Sequence, residues 1–497
     1  MERRSRKRRR TESPLKSRFD EFPTALLRSI FNRLNFNELV QAKSVCCSWN
    51  LLGEELVSNI PWLMLPSKKQ VEEGDGTDVD DNGYHGFWNL RENRLYSLKT
   101  APKEFRECCC IGSSRGWLVF LQENTVPFLF NPFKQVKIQL PSVDRLLGLK
   151  KMVRNIDGEF ELDYFDSEKG SRRFRFKSCP KQRVRECFIQ KAILTKKPEN
   201  NNGNYGLVLL CNNSEEIAYH ASGSNYWTVL EVSHPPYQDI LCHGNYLYAL
   251  SDNNSIEVWD LHIGDGRVEK KSDIVFRFPD RSLEKLNSLR DVCTMRFYLV
   301  ESCGDLLFVV RFIGDYVDWD GTLLSEYDLL TEDCNHPKVC PYRTFLFHVY
   351  KMDFKELKWV EMDTLGDRAL FVGGNQSVSV STRCLLNCEK DCIYFSDDCW
   401  EKMEEDYLYG GHDMGIYNLS DGSLKPIYEF SSDKIQPPPC WIIPDPAIMN
   451  MESYRFVAIV HTKYSTSPGF QFKQDSNPKL LIPSETEVGI SMYLIKT

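Results

Sequence analysis

The 497-residue chain is 42% hydrophobic and 12% aromatic, enough to bury the core of one large or two to three ordinary domains. Its net charge of −8 is unevenly spread: residues 1–18 hold nine Lys/Arg against Glu2 and Glu12, a net of +7, which leaves −15 on the remainder. A basic head on an acidic body argues against a large nucleic-acid groove. The charged opening residues are the opposite of a secretory leader, so the eighteen cysteines are expected as reduced thiols of the cytosol or nucleus. Membrane insertion is not expected, because the apolar run Leu306 to Val310 is closed off by Asp305 and Arg311.

In chain order, residues 1–18 read as a disordered tail. Its cluster of Arg3, Arg4, Arg6, Lys7, Arg8, Arg9 and Arg10 is the composition an acidic import receptor reads, so a nuclear location is expected, with the cytoplasm as a second compartment. Pro23 then sits where a helix would begin, with φ already set and no amide left unpaired. Leu26, Leu27, Ile30, Phe31 and Leu34 recur at helical spacing and form one apolar stripe. Asn35-Phe36-Asn37 breaks the run, and Asn37 is expected to cap a second helix carrying Leu39, Val40 and Ala42. Val45, Cys46 and Trp49 continue the pattern toward Leu52. So small a bundle carries more apolar surface than it can bury alone.

The order Phe-Pro, paired leucines, isoleucine, leucine, then Leu-Val, Ser-Val-Cys and Trp over residues 19–58 resembles an F-box. Phe22 stands where leucine is commoner, Cys47 where a basic residue is usual and Asn50 where arginine often sits. The resemblance implies docking on a Skp-type adaptor, and through it on a cullin. The implied contacts are Phe22, Pro23, Leu26, Leu27, Ile30, Leu34, Leu39, Val40, Val45, Cys46 and Trp49.

Residues 59–84 read as a linker that holds a short strand at Trp62-Leu63-Met64-Leu65 and an acidic loop from Glu72 to Gly83. From residue 85 to 497 short apolar-aromatic runs alternate with turn residues. Hairpins are expected at Trp117–Leu121 with Phe128–Phe130, Leu207–Cys211 with Ile217–His220, and Tyr246–Leu250 with Ile256–Trp259. Three more pair Phe297–Val300 with Leu306–Val310, Phe345–Tyr350 with Leu357–Val360, and Cys392–Phe395 with Gly415–Leu419. Hairpins recurring over such a length hide their edges most simply by radial repetition, as a β-propeller of roughly six to eight four-stranded blades. A pair of β-sandwiches is the alternative. The fold class is therefore mainly β, with a short N-terminal α-helical unit before a large propeller-like domain.

Leu365 to Gly373, Ser377 to Val380, Cys392 to Asp398, Asp413 to Tyr417 and Pro437 to Trp441 together resemble the KIB-type C-terminal domain of plant F-box proteins, a domain of unknown function. Gly112 to Trp117, Asn131-Pro132 and Ile138 to Pro141 resemble its beginning. The resemblance implies a kelch-like or propeller-like fold. Two insertions, Asp315 to Pro341 and Trp400 to Gly411, depart from its compact form and are candidate rim loops.

Several motifs suggest chemistry and do not carry it. Gly112-Ser113-Ser114-Arg115-Gly116 has the nucleophile-elbow pattern, but a strand follows it where that geometry needs a helix. Asp78 to Gly83 begins like an EF-hand loop, yet the twelfth position is Asn89 where a bidentate glutamate is required. Cys384, Cys388, Cys392 and Cys399, with His412, are too loosely spaced for structural zinc, and the same weighing applies to Cys334, His336 and Cys340. Trp227, Trp259, Trp359 and Trp441 are expected in the core between blades. No catalytic dyad, phosphate loop or dinucleotide fingerprint is found, so no catalytic residue, cofactor or metal is expected.

Together these features point to the non-catalytic substrate-recognition subunit of a Skp–cullin–F-box ubiquitin ligase, with the propeller binding a target protein and neither nucleic acid nor membrane. The alternative is a scaffold or protein-binding module that carries an F-box-like cap without ligase activity.

Overall fold

A computed structural model describes residues 23–58, 61–65, 86–98, 108–122, 126–143, 146, 149–154, 160–166, 172–179, 188–198, 204–253, 255–262, 267–276, 292–317, 323–324, 342–384, 387–404, 410–427, 435, 438–444 and 454–456. The basic head, Phe22 and the EF-hand-like segment lie outside the described residues. Among the described residues no helix is long and apolar enough to cross a membrane.

Three short helices open the chain: α1 (Thr24–Phe31), α2 (Phe36–Ala42) and α3 (Cys47–Ser58). Pro23 is the N-cap of α1 rather than its first helical residue. The second helix begins earlier than expected. Asn35, not Asn37, is its N-cap, because the Asn35 side chain accepts from the Glu38 amide while the Glu38 carboxylate accepts from the Asn35 amide. That reciprocal pair admits Phe36 into the helix.

Six sheets of the remainder form a six-bladed β-propeller; a three-stranded antiparallel sheet of Leu149–Arg154, Phe160–Asp166 and Arg172–Cys179 and a two-stranded one of Tyr316–Val317 and Leu323–Leu324 stand apart from the blades. From the axis outward, blade two is Cys109–Ser114, Trp117–Leu121, Pro127–Asn131 and Val136–Gln139. Blade three is Ile189–Leu194, Gly206–Cys211, Glu216–Ala221 and Thr228–Val229. Blade four is Tyr237–His243, Tyr246–Ser251, Ser255–His262 and Arg267–Val275, and blade five is Cys293–Ser302, Asp305–Gly314, Arg343–Asp353 and Lys358–Met362. In blade six the inner strand Val378–Ser381 follows the second, Arg368–Val372, which pairs in parallel with Cys392–Phe395; Gly415–Asn418 and Leu424–Lys425 lie outside. The six expected hairpins all form.

Blade one closes the ring. Its inner strand, Cys440–Ile442, comes from the C-terminal part of the chain and pairs with Trp62–Leu65, followed outward by Gly86–Asn89 and Arg94–Leu98, with Tyr454–Phe456 at the edge. Trp62–Leu65, expected inside a linker, is thus the second strand of a blade. Pairing early and late strands in one sheet removes the open edges that a linear stack would leave.

The inner strands touch in order around the axis. Asp239 ties three of them: its Oδ1 meets Lys191 Nζ at 2.5 Å and its Oδ2 accepts from the Leu299 amide at 2.7 Å. Trp259 and Trp359 fill the cores between blades three and four and between blades four and five. Trp441 belongs to the core shared by blades one, two and six, and Trp227 is half-buried against that of blades two and three.

Because neighbouring strands are antiparallel everywhere but between Arg368–Val372 and Cys392–Phe395, successive hairpin turns alternate between the two faces of the disc. Helix α3 feeds the start of Trp62–Leu65, and the turn 90–93 beside it also meets the helices, so α1–α3 sit on one face, here the helix face. Both insertions noted from the sequence, 315–341 and 400–411, leave strands that run away from that face. The described residues at their starts, Asp315–Val317 and Trp400–Glu404, lie toward the far face.

Candidate functional site

The helical unit has two sides. Its inner side is sealed into blade one. Phe36 packs edge-on to Trp62 and Tyr96, at 4.6 and 5.5 Å between ring centroids, and Leu27, Phe31, Leu39, Leu52 and Leu56 join the same core. Polar contacts fix the angle of docking. The Phe36 amide donates to Glu92 Oε1 at 2.5 Å, and Arg91 Nη2 donates at 3.0 Å to the carbonyl of Phe31, which at the end of α1 also accepts from the Leu34 amide at 3.2 Å. Tyr96 OH donates to the second oxygen of Glu92, and burial beside that carboxylate holds the phenol far above its ordinary pKa, so the donor is retained.

The outer side keeps its apolar groups in solvent. Leu26 is 58% exposed and Ile30, one turn later, 44%; Val45 and Pro23 are also exposed. Leu34, Val40, Cys46 and Trp49 are half-buried, Trp49 lying edge-on to Phe31 at 5.3 Å. Two residues expected at a partner surface go inward instead: Leu27 is 3% exposed and Leu39 1%. Their helical positions face blade one, which supplies the core that the short bundle lacks. Arg28 and Glu55, joined by two 2.8 Å bonds, link α1 to α3 on the exposed side.

Cys334, His336 and Cys340 lie outside the described residues, and the chemical motifs within them resolve into packing. Ser114 ends an inner strand, and its Oγ donates to Gln376 Oε1 at 2.6 Å and accepts from the Leu194 amide at 2.9 Å. Arg115 and Gly116, both with positive φ, form the hairpin turn. A Cβ on Gly112 would lie 2.9 Å from Ala192 O, so that glycine permits two inner strands to approach. Cys392 lies in the core of blades one, two and six and Cys399 in a separate cluster, while the side chain of Cys384 lies outside the described residues. His234, Glu257 and Asp273 bring ligand atoms within 4.8 Å of one another. Lys270 already supplies a cation there, its Nζ 2.8 Å from Asp273 Oδ1 and 3.3 Å from Glu257 Oε2.

A family model described as the F-box domain matches residues 19–56, and one described as the KIB1-4 beta-propeller matches residues 87–418. The chain belongs to the KIB1-4 β-propeller family. It is similar to F-box protein SKIP23 of Arabidopsis thaliana, 24% identical over 417 residues that cover 82% of this chain and 90% of that protein. F-box protein KIB3 of the same plant is 24% identical over 443 residues, covering 84% and 81%. F-box/kelch-repeat protein KIB1, also from Arabidopsis, is 23% identical over 421 residues, covering 82% and 83%. The chain is therefore a plant KIB-type F-box protein, and its two matched domains fit a substrate-recognition role.

Proposed function

We propose that the chain is the substrate-recognition subunit of a Skp–cullin–F-box ubiquitin ligase. The reading is carried by the division of the helical unit. One side is consumed by blade one, which completes the core of the bundle, while Pro23, Leu26, Ile30 and Val45 remain as apolar groups in solvent. Such residues in such a position are an interface, and the F-box match supports a Skp-type adaptor as its occupant. Half-buried Leu34, Val40, Cys46 and Trp49 border that surface, whereas Leu27 and Leu39 support it from behind.

The propeller holds a target protein, and the chain contributes no chemistry of its own. Ubiquitin transfer is promoted by proximity, since a bound target lysine meets the charged conjugating enzyme brought by the cullin as if in one molecule. The anchoring of α1 and α2 through Arg91 and Glu92 sets the angle between adaptor and propeller. The basic cluster from Arg3 to Arg10 directs the chain to the nucleus.

Co-purification tests the reading. The wild-type chain retains a Skp-type adaptor and a cullin from a plant extract, and the pair Leu26→Asp with Ile30→Asp releases both. A double variant that still retains them places the contact elsewhere.

A further inference from the structure

Arg296 and Glu401, far apart in the chain, meet at one cavity. It lies at the far mouth of the central channel, has a volume of about 300 Å³, and is walled by Lys191, Gln238, Arg296, Phe297 and Glu401, reaching Gly373-Gly374. The cavity belongs to the ring itself, since Lys191, Gln238 and Arg296 stand on the inner strands of blades three, four and five. The segment after the glycines passes to the opposite side of the ring: Asn375 Nδ2 donates to Trp441 O and the Gln376 amide to Ser113 O, both at 3.3 Å. A cavity of this size admits one or two residues of a bound chain.

Two cations in its wall keep donors in hand. Arg296 gives Nη2 to Glu401 Oε2, while its Nε is buried without an acceptor. Those two N–H groups share one edge of the planar guanidinium and point the same way, matching the two oxygens of a carboxylate. Glu401 therefore fills half of a two-pronged site. Lys191, its side chain 8% exposed, donates through Nζ to Asp239 Oδ1 at 2.5 Å, the ammonium's one acceptor among the described residues. An ammonium carries three N–H groups, so two remain. Buried donors at a cavity wall call for an acceptor from outside.

Charge selects that acceptor. Of the carboxylates in the wall, Asp239 is met by Lys191 and the Leu299 amide, and Asp398 by fully buried Arg311 at 3.0 Å. Arg296 is left to Glu401, whose side chain is 53% exposed. Exchanging Glu401 for another carboxylate keeps the charge of the wall as it is. A phosphate dianion would add a negative charge beside Asp239 and Asp398, and a neutral carbonyl offers one oxygen and a weaker, uncharged bond. Glu401 can give way without disturbing the fold. Its short helix, Trp400–Glu404, is held by Met403 and the preceding Cys399, both fully buried against Ile313, Tyr316 and Tyr342, and by Lys402 Nζ at 3.3 Å from Asp315 Oδ1. Rotation of one exposed side chain opens the fork.

We propose that the Arg296 fork and Lys191 form a carboxylate-binding site for an acidic side chain or chain end of the target protein, and that Glu401 occupies the fork as a latch until the target carboxylate displaces it. The site deepens the substrate-recognition reading above and rests on it for the identity of the ligand as a target. It also puts target and adaptor on opposite faces of the disc.

The test titrates the full chain into short fluorescent Gly/Ser peptides read by anisotropy: amidated ones with a central Glu, Gln or phosphoserine, and one with a free C-terminus and a central Gln. The Glu peptide, the free-ended one or both bind at least about tenfold tighter than the amidated Gln peptide, which also tells side chain from chain end. Arg296→Lys, which keeps the charge and removes the fork, lowers that affinity about tenfold or more. Glu401→Gln raises it by a similar factor, a gain that no loss of fold produces. Carboxylate and Gln peptides that bind alike overturn the proposal, as does a phosphoserine peptide that binds as tightly as the carboxylate. A Glu401→Gln variant no tighter than the wild type overturns the latch and the proposal with it. Binding lost when Arg8, Arg9 and Arg10 are changed to Gln belongs to the basic head, and also overturns it. Carboxylate binding by a chain that retains no adaptor supports the site and removes the ligase reading.

Discussion

Phe36 is the residue on which the attachment of the helices to the propeller most depends. Its ring sits 4.6 Å from Trp62 and 5.5 Å from Tyr96, almost fully buried, and its amide is held by Glu92. Truncation to alanine removes a buried aromatic and leaves a cavity, at a cost of about 3–5 kcal/mol. The helices have 8, 7 and 12 residues, lengths that are marginal in water without a packed face. The loss therefore falls on the helical unit and not on the ring, whose strands keep their own cores. In hydrogen exchange, Phe36→Ala is expected to speed the amides of α1–α3 by about two to three orders of magnitude while those of blades three to five stay protected. Leu26→Asp, at an exposed site, is expected to leave both sets unchanged. Helix amides that remain as protected in Phe36→Ala as in the wild type would refute the reasoning, and so would loss of protection throughout the propeller.

Three further outcomes follow from buried groups. Arg311→Met leaves Asp398 and Asp413 buried without their cation and should destabilise the propeller by about 3–5 kcal/mol in denaturant melts. Burial, and then the neighbouring Asp413, push Asp397 from an ordinary 3.8 up to about 7. A carboxyl raised in the folded state stabilises fully below its unfolded value and loses that contribution as pH rises through the folded one, so the melting temperature carries a falling component between about pH 4 and 7. Asp397→Asn should flatten that component. Gly112→Ala forces a Cβ to 2.9 Å from Ala192 O between blades two and three and should cost about 1–3 kcal/mol, measured by chemical unfolding.

The strand order was legible because each hairpin announces itself locally, by a β-rich run, a turn cluster and a second run, as at Tyr246–Leu250 and Ile256–Trp259. Closure was not, since the pairing of Trp62 with Ile442 joins residues that share no local signal. The cap of α2 was misplaced by two residues because Asn35 and Asn37 are equal by type, and only Glu38 three positions after Asn35 separates them. The site was legible as a set of apolar residues but not as two sides. Leu26 and Leu27 look alike in sequence, and which of them faces blade one depends on where Arg91 and Glu92 grip the helices. That Tyr316, Tyr342 and Met403 share one small core was not legible either, because only the order of blades five and six brings them together.

The central claim is that the exposed side of α1 is an adaptor interface while its buried side holds the propeller. Titration calorimetry of a purified Skp-type adaptor into the full chain tests it most directly, with the wild type and the Leu26→Asp, Ile30→Asp variant compared at matched melting temperatures. The account predicts tight binding to the wild type and a loss of at least about a hundredfold in the variant, as for two anchors of an apolar interface. Equal affinity of the two proteins would contradict it.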